Sequence, residues 1–553
     1  MRSAYQVTVA STPTALANII LSQRELFQVR LKVSCLLMGL KAISLVAELE
    51  AYYVPDATYE NQPSDQRCMP GTRVKVLEEA KHLIITREGS HVVWMSGHAG
   101  TGKTCITMSL CEMLANEPDV LLGGTFFFSS VRSSTKRTGA RYVIPTLATL
   151  LARAEPRCKM ALVDELKRDP DFIIKTVKHQ IDNLLIKPLN SLKPFDRQIV
   201  FVLDGLDQCK DAKPLKELLL SLADFKCLVP VKFLITSRQD SRIRKVRMQR
   251  PILQPRIELY NTDLALVTAD IQLYVQSKFE NSPAAPGWYS DRDPADLAEK
   301  AEGMFGFAAV AVKYICNPID SHLQAKRIRA VKEVKAKGLP AVNEMYSVML
   351  TQAMDVGVSS AKRERAQKIL SAIIASRTPQ QVKTLAELLD LSPMSIREAL
   401  VDLQVVVFVP EMNDEGELHL LETSFVDFLS KSTPGNVRVS ESYGHEVLAR
   451  GCLRRLAADD LCFNISRIQS SYEANPATEM DIPRSLRYAC IAWPHHAYNA
   501  SEPSVYDDQI DSVFRPKFLF WLEVTSRILN VEHSPERLLR VAAAKVRLRV
   551  LRT

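Results

Sequence analysis

Several features that define other protein classes are missing from this sequence of 553 residues. Its 11 cysteines are irregularly spaced and form no C-x-x-C pair, which argues against a zinc site or a disulfide framework and fits a reducing compartment. The apolar stretch from Val33 to Leu49 contains Lys41 and Glu48, so it is too short and too charged to span a bilayer. Residues 1–22 lack the continuous apolar run of a signal peptide. We therefore expect a cytoplasmic protein without a transmembrane segment.

Net positive charge is also small outside one short region. The net charge is +8, and residues 537–553 carry six of the basic side chains and no acid, which leaves +2 for the other 536 residues. A solvated helix end would account for such a tail, as would a contact with phospholipid or nucleic acid. The near-neutral body argues against a nucleic-acid enzyme, which more often carries a basic stripe on a folded domain.

What is present is an ordinary globular composition with alternating strand and helix patterns. Apolar residues make up 46% and charged residues 24%, and the length suggests three or four domains. Short β-branched or aromatic runs between helical patterns predict strands at 91–96, 123–130, 198–204 and 232–238. Continuous apolar strands of this kind are typical of a parallel sheet with helices on both faces, so the fold class is α/β.

After residue 260 the strand signals nearly vanish. Helical patterns at 381–389 and 394–404 precede an extended pair around Asn413–Gly416, which predicts a winged helix. Five segments follow from these patterns: an N-terminal helical segment and linker (1–66), an α/β domain (67–260), a helical domain (261–340), a winged-helix domain (341–435) and a C-terminal helical region with the basic tail (436–553). The Pro- and Asn-rich stretch 53–72 is interpreted as the linker.

One motif carries recognisable chemistry. It matches G-x-x-x-x-G-K-[ST], follows an apolar strand, opens a helix, and consists of Gly97, His98, Ala99, Gly100, Thr101, Gly102, Lys103 and Thr104. Such a loop wraps phosphates with backbone N–H groups at a helix N-terminus, where the helix dipole favours anions. Lys103 is expected to reach the β- and γ-phosphates, and the Thr104 hydroxyl is expected to ligate Mg²⁺.

Three further residues follow buried strands. Asp204 comes directly after four apolar residues, where a carboxylate needs a partner, and is the candidate for the second Mg²⁺ ligand. Asp207 could position or activate water, or it could cap a helix. Arg238 could sense ATP against ADP by a charge-assisted hydrogen bond, or it could form a surface salt bridge.

The sequence signal for a metal site is weaker than the signal for the phosphate-binding loop. Cys490, His495 and His496 lie close together in the sequence, but no fourth ligand is in register, so helix packing is favoured.

The order of motifs resembles that of a known family. It runs through CMPGTR at 68–73, GHAGTGKT at 97–104, TFFFS at 125–129, DNLLIKPL at 182–189, LDGLDQC at 203–209, LITSR at 234–238, EGMF at 302–305, NEMY at 343–346 and LETSFVDFL at 421–429. This order resembles the NACHT NTPases of fungal NLR-like receptors. These are STAND-class signalling ATPases, also described as nephrocystin-type. The resemblance covers roughly residues 50–530.

The resemblance implies a nucleotide-controlled switch that uses ATP/ADP and Mg²⁺. Lys103 and Thr104 match the Walker A pair, Asp204 and Asp207 the Walker B acids, and Arg238 the sensor arginine. The resemblance also implies that Pro70 and Gly71 frame the adenine and that the winged helix packs against the nucleotide rather than DNA. ADP is expected to favour a closed arrangement. ATP is expected to favour an open one that self-associates through the ATPase domain and engages signalling proteins, without specific nucleic-acid binding.

The sequence departs from the family pattern at three places. Gln208 stands where the family usually has Glu, so fast hydrolysis is not expected. Glu422 stands where the family usually has a His that touches the ADP phosphates, and a carboxylate there is expected to repel phosphate. No sensor repeats follow the winged helix up to Thr553. These departures keep open a degenerate scaffold or decoy without its own hydrolysis. A nucleic-acid-associated P-loop ATPase is a further alternative.

Overall fold

The structure is a computed structural model and describes residues 49–528. The residues not described within that span are 64–65, 131–134, 170, 172–174, 284–286, 318–320, 336–338, 355–359, 377, 411, 432–438, 464, 466–481 and 502–505. The predicted basic tail lies outside the described residues, as does nearly all of the predicted N-terminal helical segment.

A five-stranded parallel sheet forms the centre of the α/β domain, which is called the ATPase domain below after the activity that the resemblance predicts. Its strands, in the spatial order β2-β3-β4-β1-β5, are β1 (Val92–Ser96), β2 (Val120–Phe127), β3 (Gln198–Asp204), β4 (Val231–Ser237) and β5 (Ile257–Glu258). Every residue of β1, β3 and β4 is buried, which explains why these strands are apolar without alternation. The first residues of β2 pair with β3, so β2 begins and ends earlier than its predicted position. The two residues of β5 are too few for a sequence pattern to reveal.

Helices cover both faces of this sheet. They are α1 (Val74–Ile85), α2 (Lys103–Ala115), α3 (Val143–Ala154), α4 (Pro156–Arg168), α5 (Val177–Gln180), α6 (Lys187–Asn190), α7 (Ala212–Ala223) and α8 (Ser241–Arg247). A π-helical turn, Ile181–Ile186, joins α5 to α6. Alternate strand residues face opposite sides: Trp94 and Phe233 pack with α3–α8, whereas Met95 and Leu234 pack with α1 and α2.

The stretch predicted as a linker packs on the ATPase domain instead. Val54 and Ala57 are buried, and the Val54 N–H donates to Thr146 Oγ1 at 3.2 Å. The Tyr59 N–H donates to Thr125 Oγ1 on β2 at 2.9 Å. The first ten residues of the stretch interpreted as a linker thus lie against the ATPase domain, where threonine hydroxyls accept hydrogen bonds from their backbone N–H groups.

Helices follow the sheet up to the winged helix. They are α9 (Leu264–Glu280), α10 (Asp293–Ala301), α11 (Phe305–Cys316), α12 (Ser321–Glu333), α13 (Leu339–Ala353) and α14 (Ser360–Ala375). Within the described stretches between 259 and 379, no strand interrupts them.

The winged helix is present where the sequence predicts it. Helices α15 (Val382–Leu389) and α16 (Pro393–Leu400) precede the antiparallel pair β7 (Val407–Phe408) and β8 (Glu417–Leu420), and β6 (Gln380–Gln381) pairs with the other edge of β8. Helix α17 (Thr423–Lys431) follows directly. The predicted fold class, an α/β P-loop NTPase followed by helical and winged-helix parts, is confirmed.

Three long helices complete the described chain: α18 (Glu441–Ala457), α19 (Arg484–Asn499) and α20 (Asp507–Ile528). Their apolar side chains form one connected core with those of α9–α17, from Val267 to Val524. The ATPase domain has separate cores on its two faces. Among the described helices, none combines the length and the apolar composition needed to cross a membrane.

Candidate functional site

The Gly97–Thr104 loop lies where the sequence places it, between β1 and α2. The loop turns through Gly100 (φ 76°) and Gly102 (φ 87°), and both are in the left-handed region that glycine adopts without a Cβ clash. Helix α2 begins at Lys103, so its first N–H groups face the loop. The Thr101 hydroxyl donates to His98 O at 2.9 Å and holds the turn closed. His98 itself is exposed, with its ring 5.6 Å from that of Tyr260.

The Lys103 ammonium lies over the loop. It donates to the carbonyl oxygens of Gly97 and His98, both at 2.7 Å. Burial lowers the pKa of Lys103 to about 8, and Asp207 and Asp204 oppose that shift while Arg238 adds to it. A cation that is desolvated in this way gains from a bound anion, because the anion replaces the lost solvation.

Asp204 lies at the end of β3, next to Thr104. One carboxylate oxygen accepts from Thr104 Oγ1 at 2.8 Å, and the other accepts from Thr236 Oγ1 at 2.6 Å. Burial raises the pKa of Asp204, while the hydroxyl donors oppose that shift. A buried carboxylate beside a threonine hydroxyl is the oxygen donor set that Mg²⁺ prefers, so these residues fit the ion that the sequence implies.

Thr236 is a site residue that the sequence analysis missed. Its hydroxyl also accepts from the Gly205 N–H at 3.0 Å, so it fixes both the Asp204 carboxylate and the turn after it. A threonine in a fully buried strand, two residues before Arg238, was the available signal, since a buried hydroxyl requires a partner.

Asp207 and Gln208 face different neighbours. Asp207 Oδ1 accepts the Arg238 backbone N–H at 2.8 Å, and its Oδ2 lies 3.4 Å from Arg238 Nε. Gln208 Oε1 accepts the backbone N–H of Ser130 at 2.9 Å. Asp207 therefore orients the arginine, and the amide oxygen of Gln208 is engaged away from the loop residues.

Arg238 joins the ATPase domain to the winged-helix region. Its Nη1 donates to Asp427 Oδ2 on α17 at 2.6 Å. Glu422, the carboxylate that stands where the family usually has His, pairs with Lys313 on α11 at 3.5 Å. The carboxylate that reaches the end of β4 is Asp427, which the sequence analysis did not select.

A second contact ties α11 to the loop. The Gly306 N–H donates to Gly100 O at 2.7 Å, and a Cβ added at Gly306 would lie 2.7 Å from Gly100 Cα. The two backbones touch because neither residue has a side chain at this point.

Arg73 reaches the loop from the segment that contains Pro70 and Gly71. Pro70 and Gly71 are exposed, whereas Arg73 is buried, donates from Nη2 to Thr101 O at 2.9 Å and lies 4.6 Å from the Phe305 ring. The Nε and Nη1 atoms of Arg73 have no hydrogen-bond partner among the described residues. Burial lowers the pKa of Arg73.

His496, one of the two histidines near Cys490, contacts a histidine and a tyrosine of the helix packing. His496 Nδ1 lies 2.8 Å from His445 Nδ1, and its Nε2 lies 2.8 Å from the Tyr488 hydroxyl. Among the described residues, no group of three or more His, Cys, Asp or Glu is arranged to hold a metal ion.

Comparison with known proteins finds a family that part of the ATPase domain matches. Residues 71–238, from the turn before α1 to the arginine after β4, match the family described as Nephrocystin 3, N-terminal. This segment is therefore similar to the nephrocystin-type family. It contains the whole loop, both acids and Arg238, and the resemblance to the nephrocystin-type family noted in the sequence is confirmed. Among curated proteins, no sequence matches the chain significantly.

Solved structures share the general architecture at low similarity. A STAND protein with a tetratricopeptide repeat sensor from Pyrococcus horikoshii is 11% identical to this chain, with a TM-score of 0.38. The aligned part covers 85% of this chain and 55% of that protein. This chain thus spans about half of that protein. The Walker-type ATPase of Pyrococcus abyssi is 12% identical, with 66% of this chain and 99% of its own covered (TM-score 0.33).

The Aeropyrum pernix Orc1 protein, solved in complex with DNA, is similar to the same degree. It is 13% identical and covers 70% of this chain and 94% of its own, with a TM-score of 0.33. Since all three scores lie below 0.5, these likenesses carry no argument about what the nephrocystin-type domain binds or does.

Proposed function

We propose that the protein is a nucleotide-controlled signalling switch of the NLR-like type. The observation that carries the proposal is the position of Arg238, which lies beside the phosphate loop and is bonded to Asp427 of the winged-helix region. A residue at the nucleotide that also holds a second domain couples nucleotide state to domain arrangement. The contact between Gly306 and Gly100 adds a second link of the same kind.

ATP or ADP is the proposed ligand, with Mg²⁺. The loop N–H groups and Lys103 would bind the phosphates, and Thr104 and Asp204 would hold the ion, which would neutralise phosphate charge. By likeness to the family, the exposed Pro70 and Gly71 frame the adenine. Hydrolysis is slow in this proposal, because Gln208 cannot accept a proton and its amide oxygen is held by Ser130.

The domain boundaries and partners remain part of the proposal. The nephrocystin-type domain self-associates in the ATP state, and the assembled form engages signalling proteins. Specific DNA binding is disfavoured because the one arginine of α16, Arg397, donates to Pro410 O at 2.7 Å and pairs with Asp414 at 2.7 Å. A recognition helix without a basic residue available for phosphate or base contacts makes a poor DNA reader.

The test is nucleotide-dependent shape and assembly. Small-angle scattering and sedimentation are measured on the protein with ADP, with ATP and Mg²⁺, and after nucleotide removal. The proposal expects a compact monomer with ADP and a larger radius or an oligomer with ATP and Mg²⁺. Identical profiles in the three conditions, although the nucleotides bind, favour the scaffold instead.

Asp204→Asn is expected to remove the effect of Mg²⁺ on ATP binding. The amide keeps the shape and still accepts a hydrogen bond, but it lacks the charge that holds the ion, so ATP affinity in Mg²⁺ falls about tenfold. Affinity in excess chelator stays near the wild-type value. The matched control is Asp224→Asn, an exposed acid before β4 at the opposite end of the sheet. An equal loss with and without Mg²⁺ contradicts the assigned role.

Gly306→Val is expected to loosen α11 from the phosphate loop. The new side chain overlaps Gly100, and overpacking of about 1–3 kcal/mol corresponds to nucleotide release about tenfold faster. Dissociation of a fluorescent ADP analogue, followed by stopped flow, measures this rate. Gln272→Val, an exposed β-branched replacement on α9, serves as the control. Unchanged release in Gly306→Val excludes this contact from nucleotide retention.

A further inference from the structure

The ion pair between Arg238 and Asp427 links two parts of the chain 189 residues apart. Arg238 is a quarter exposed and Asp427 about half exposed. A pair with this exposure contributes little to overall stability. Its position beside the phosphate loop matters more than its strength.

Backbone pairing places Arg238 next to that loop. Strand β4 lies beside β1 with Ser237 opposite Ser96, and the Gly97 N–H donates to Ser237 O at 3.3 Å. Arg238 is the next residue after this pair. Lys103 contacts the carbonyl oxygen of Gly97, the residue bonded to Ser237, so the two cationic residues belong to the same end of the sheet. Two cations at the end of a phosphate loop form a site for an anion beyond the β-phosphate.

Arg238 is oriented by Asp207 and holds an anion already. Asp207 accepts the hydrogen bond of the Arg238 backbone N–H and lies beside Arg238 Nε, which leaves Nη1 for another partner. That partner is Asp427, which accepts a hydrogen bond from Arg238 Nη1 at 2.6 Å. A terminal phosphate that approaches the same guanidinium meets the Asp427 carboxylate, and like charges at hydrogen-bond distances repel strongly.

We propose that Asp427 is an internal competitor of the terminal phosphate for Arg238, and that this competition sets the preference of the protein between ADP and ATP. ADP leaves the pair between Arg238 and Asp427 intact, whereas ATP displaces the carboxylate. The proposal rests on the proposed function, because it requires that nucleotide occupies the loop.

The helix that carries Asp427 is held firmly on the winged-helix side. Ser424 Oγ lies 2.8 Å from the Tyr346 hydroxyl on α13, and the rings of Phe425 and Phe428 pack on that of Tyr346 at 4.9 and 5.5 Å. Tyr346 is buried. Displacement of Asp427 therefore breaks a contact between the ATPase domain and a packed unit of α13 and α17.

The experiment compares Asp427→Asn with Glu415→Gln, which removes the same charge from an exposed turn of the winged helix. Calorimetry measures the affinity for ADP and for a non-hydrolysable ATP analogue, both with Mg²⁺. Asp427→Asn is expected to raise the affinity for the ATP analogue about fivefold, the factor that an ion pair of this exposure contributes. The affinity for ADP stays unchanged, as do both affinities in Glu415→Gln.

A second background separates competition from loosening. In Arg238→Gln the competition is absent, so Asp427→Asn is expected to have no further effect on the ATP-to-ADP ratio. An unchanged ratio in Asp427→Asn overturns the proposal, and so does an equal rise for both nucleotides, which marks Asp427 as a structural contact alone. If the wild type binds neither nucleotide, both the proposed function and this proposal are overturned. Thermal melting of each variant confirms that it is folded.

Discussion

Replacement of Lys103 by alanine is expected to lower the affinity for both ATP and ADP by about a hundredfold. The ammonium is the cation nearest the loop, and it already bridges the carbonyl oxygens of Gly97 and His98. Charge-assisted hydrogen bonds contribute about 1.5–3 kcal/mol, and their loss inside a desolvated loop corresponds to about two decades of affinity.

The measurement is the nucleotide carried by the purified protein. The protein is denatured and the released nucleotide is identified by chromatography, with Lys103→Ala beside Lys75→Ala, an exposed lysine on α1. ADP in the wild type and in Lys75→Ala, but not in Lys103→Ala, supports a closed resting state. ATP in its place indicates binding without effective hydrolysis, as the engaged Gln208 predicts.

A third outcome contradicts the switch. If the wild type carries no nucleotide and takes up none from added ATP and Mg²⁺, the loop is a remnant and the scaffold interpretation stands. Titration with a fluorescent ATP analogue distinguishes this outcome from loss of nucleotide during purification.

Gly444→Ala combined with Gly451→Ala is expected to destabilise the C-terminal helices. The two glycines lie two turns apart on α18, about 10 Å along its axis. A Cβ at Gly444 would overlap the Ser371 carbonyl oxygen of α14, and one at Gly451 would overlap that of Leu388 in α15. Helix α18 approaches both helices at backbone distance.

Two effects of opposite sign compete in this variant. Helix propensity alone favours alanine over glycine by about 1 kcal/mol per site. Overpacking against a backbone carbonyl, which cannot rotate away, costs about 3 kcal/mol per site. The net loss is about 2 kcal/mol at each glycine, and the two sites add because they contact different helices.

Thermal melting measures the result. A loss of about 4 kcal/mol lowers the Tm by about 10 °C for a domain of this size. Glu446→Ala, a half-exposed position on the same helix, is the control and should stay within about 2 °C of the wild type. A higher Tm in the double glycine variant would mean that the gain in helix propensity exceeds the cost of overpacking. In that case α18 does not contact its neighbours as closely as described.

Much of the ATPase domain could be predicted because its signals are local. Strands β1, β3 and β4 are wholly buried, so their apolar runs are continuous, and a glycine loop between a strand and a helix is typical of phosphate binding. The predicted position of β2 was late because its start is defined by pairing with β3, which is a non-local property. The packing of residues 53–62 could not be predicted for the same reason, because their backbone partners, Thr125 and Thr146, are distant in sequence.

The sequence by itself determined the chemistry at the centre of the site. Lys103, Thr104 and Asp204 could be selected from strand, loop and helix patterns, since each pattern specifies which end of a strand its residues occupy. Only the tertiary structure decided what surrounds them. Thr236 fixes Asp204, Gly306 touches Gly100, and Asp427 rather than Glu422 reaches Arg238. These contacts join residues up to 206 positions apart, and nothing in the local sequence sets their pairing, because it depends on how whole helices pack against the sheet.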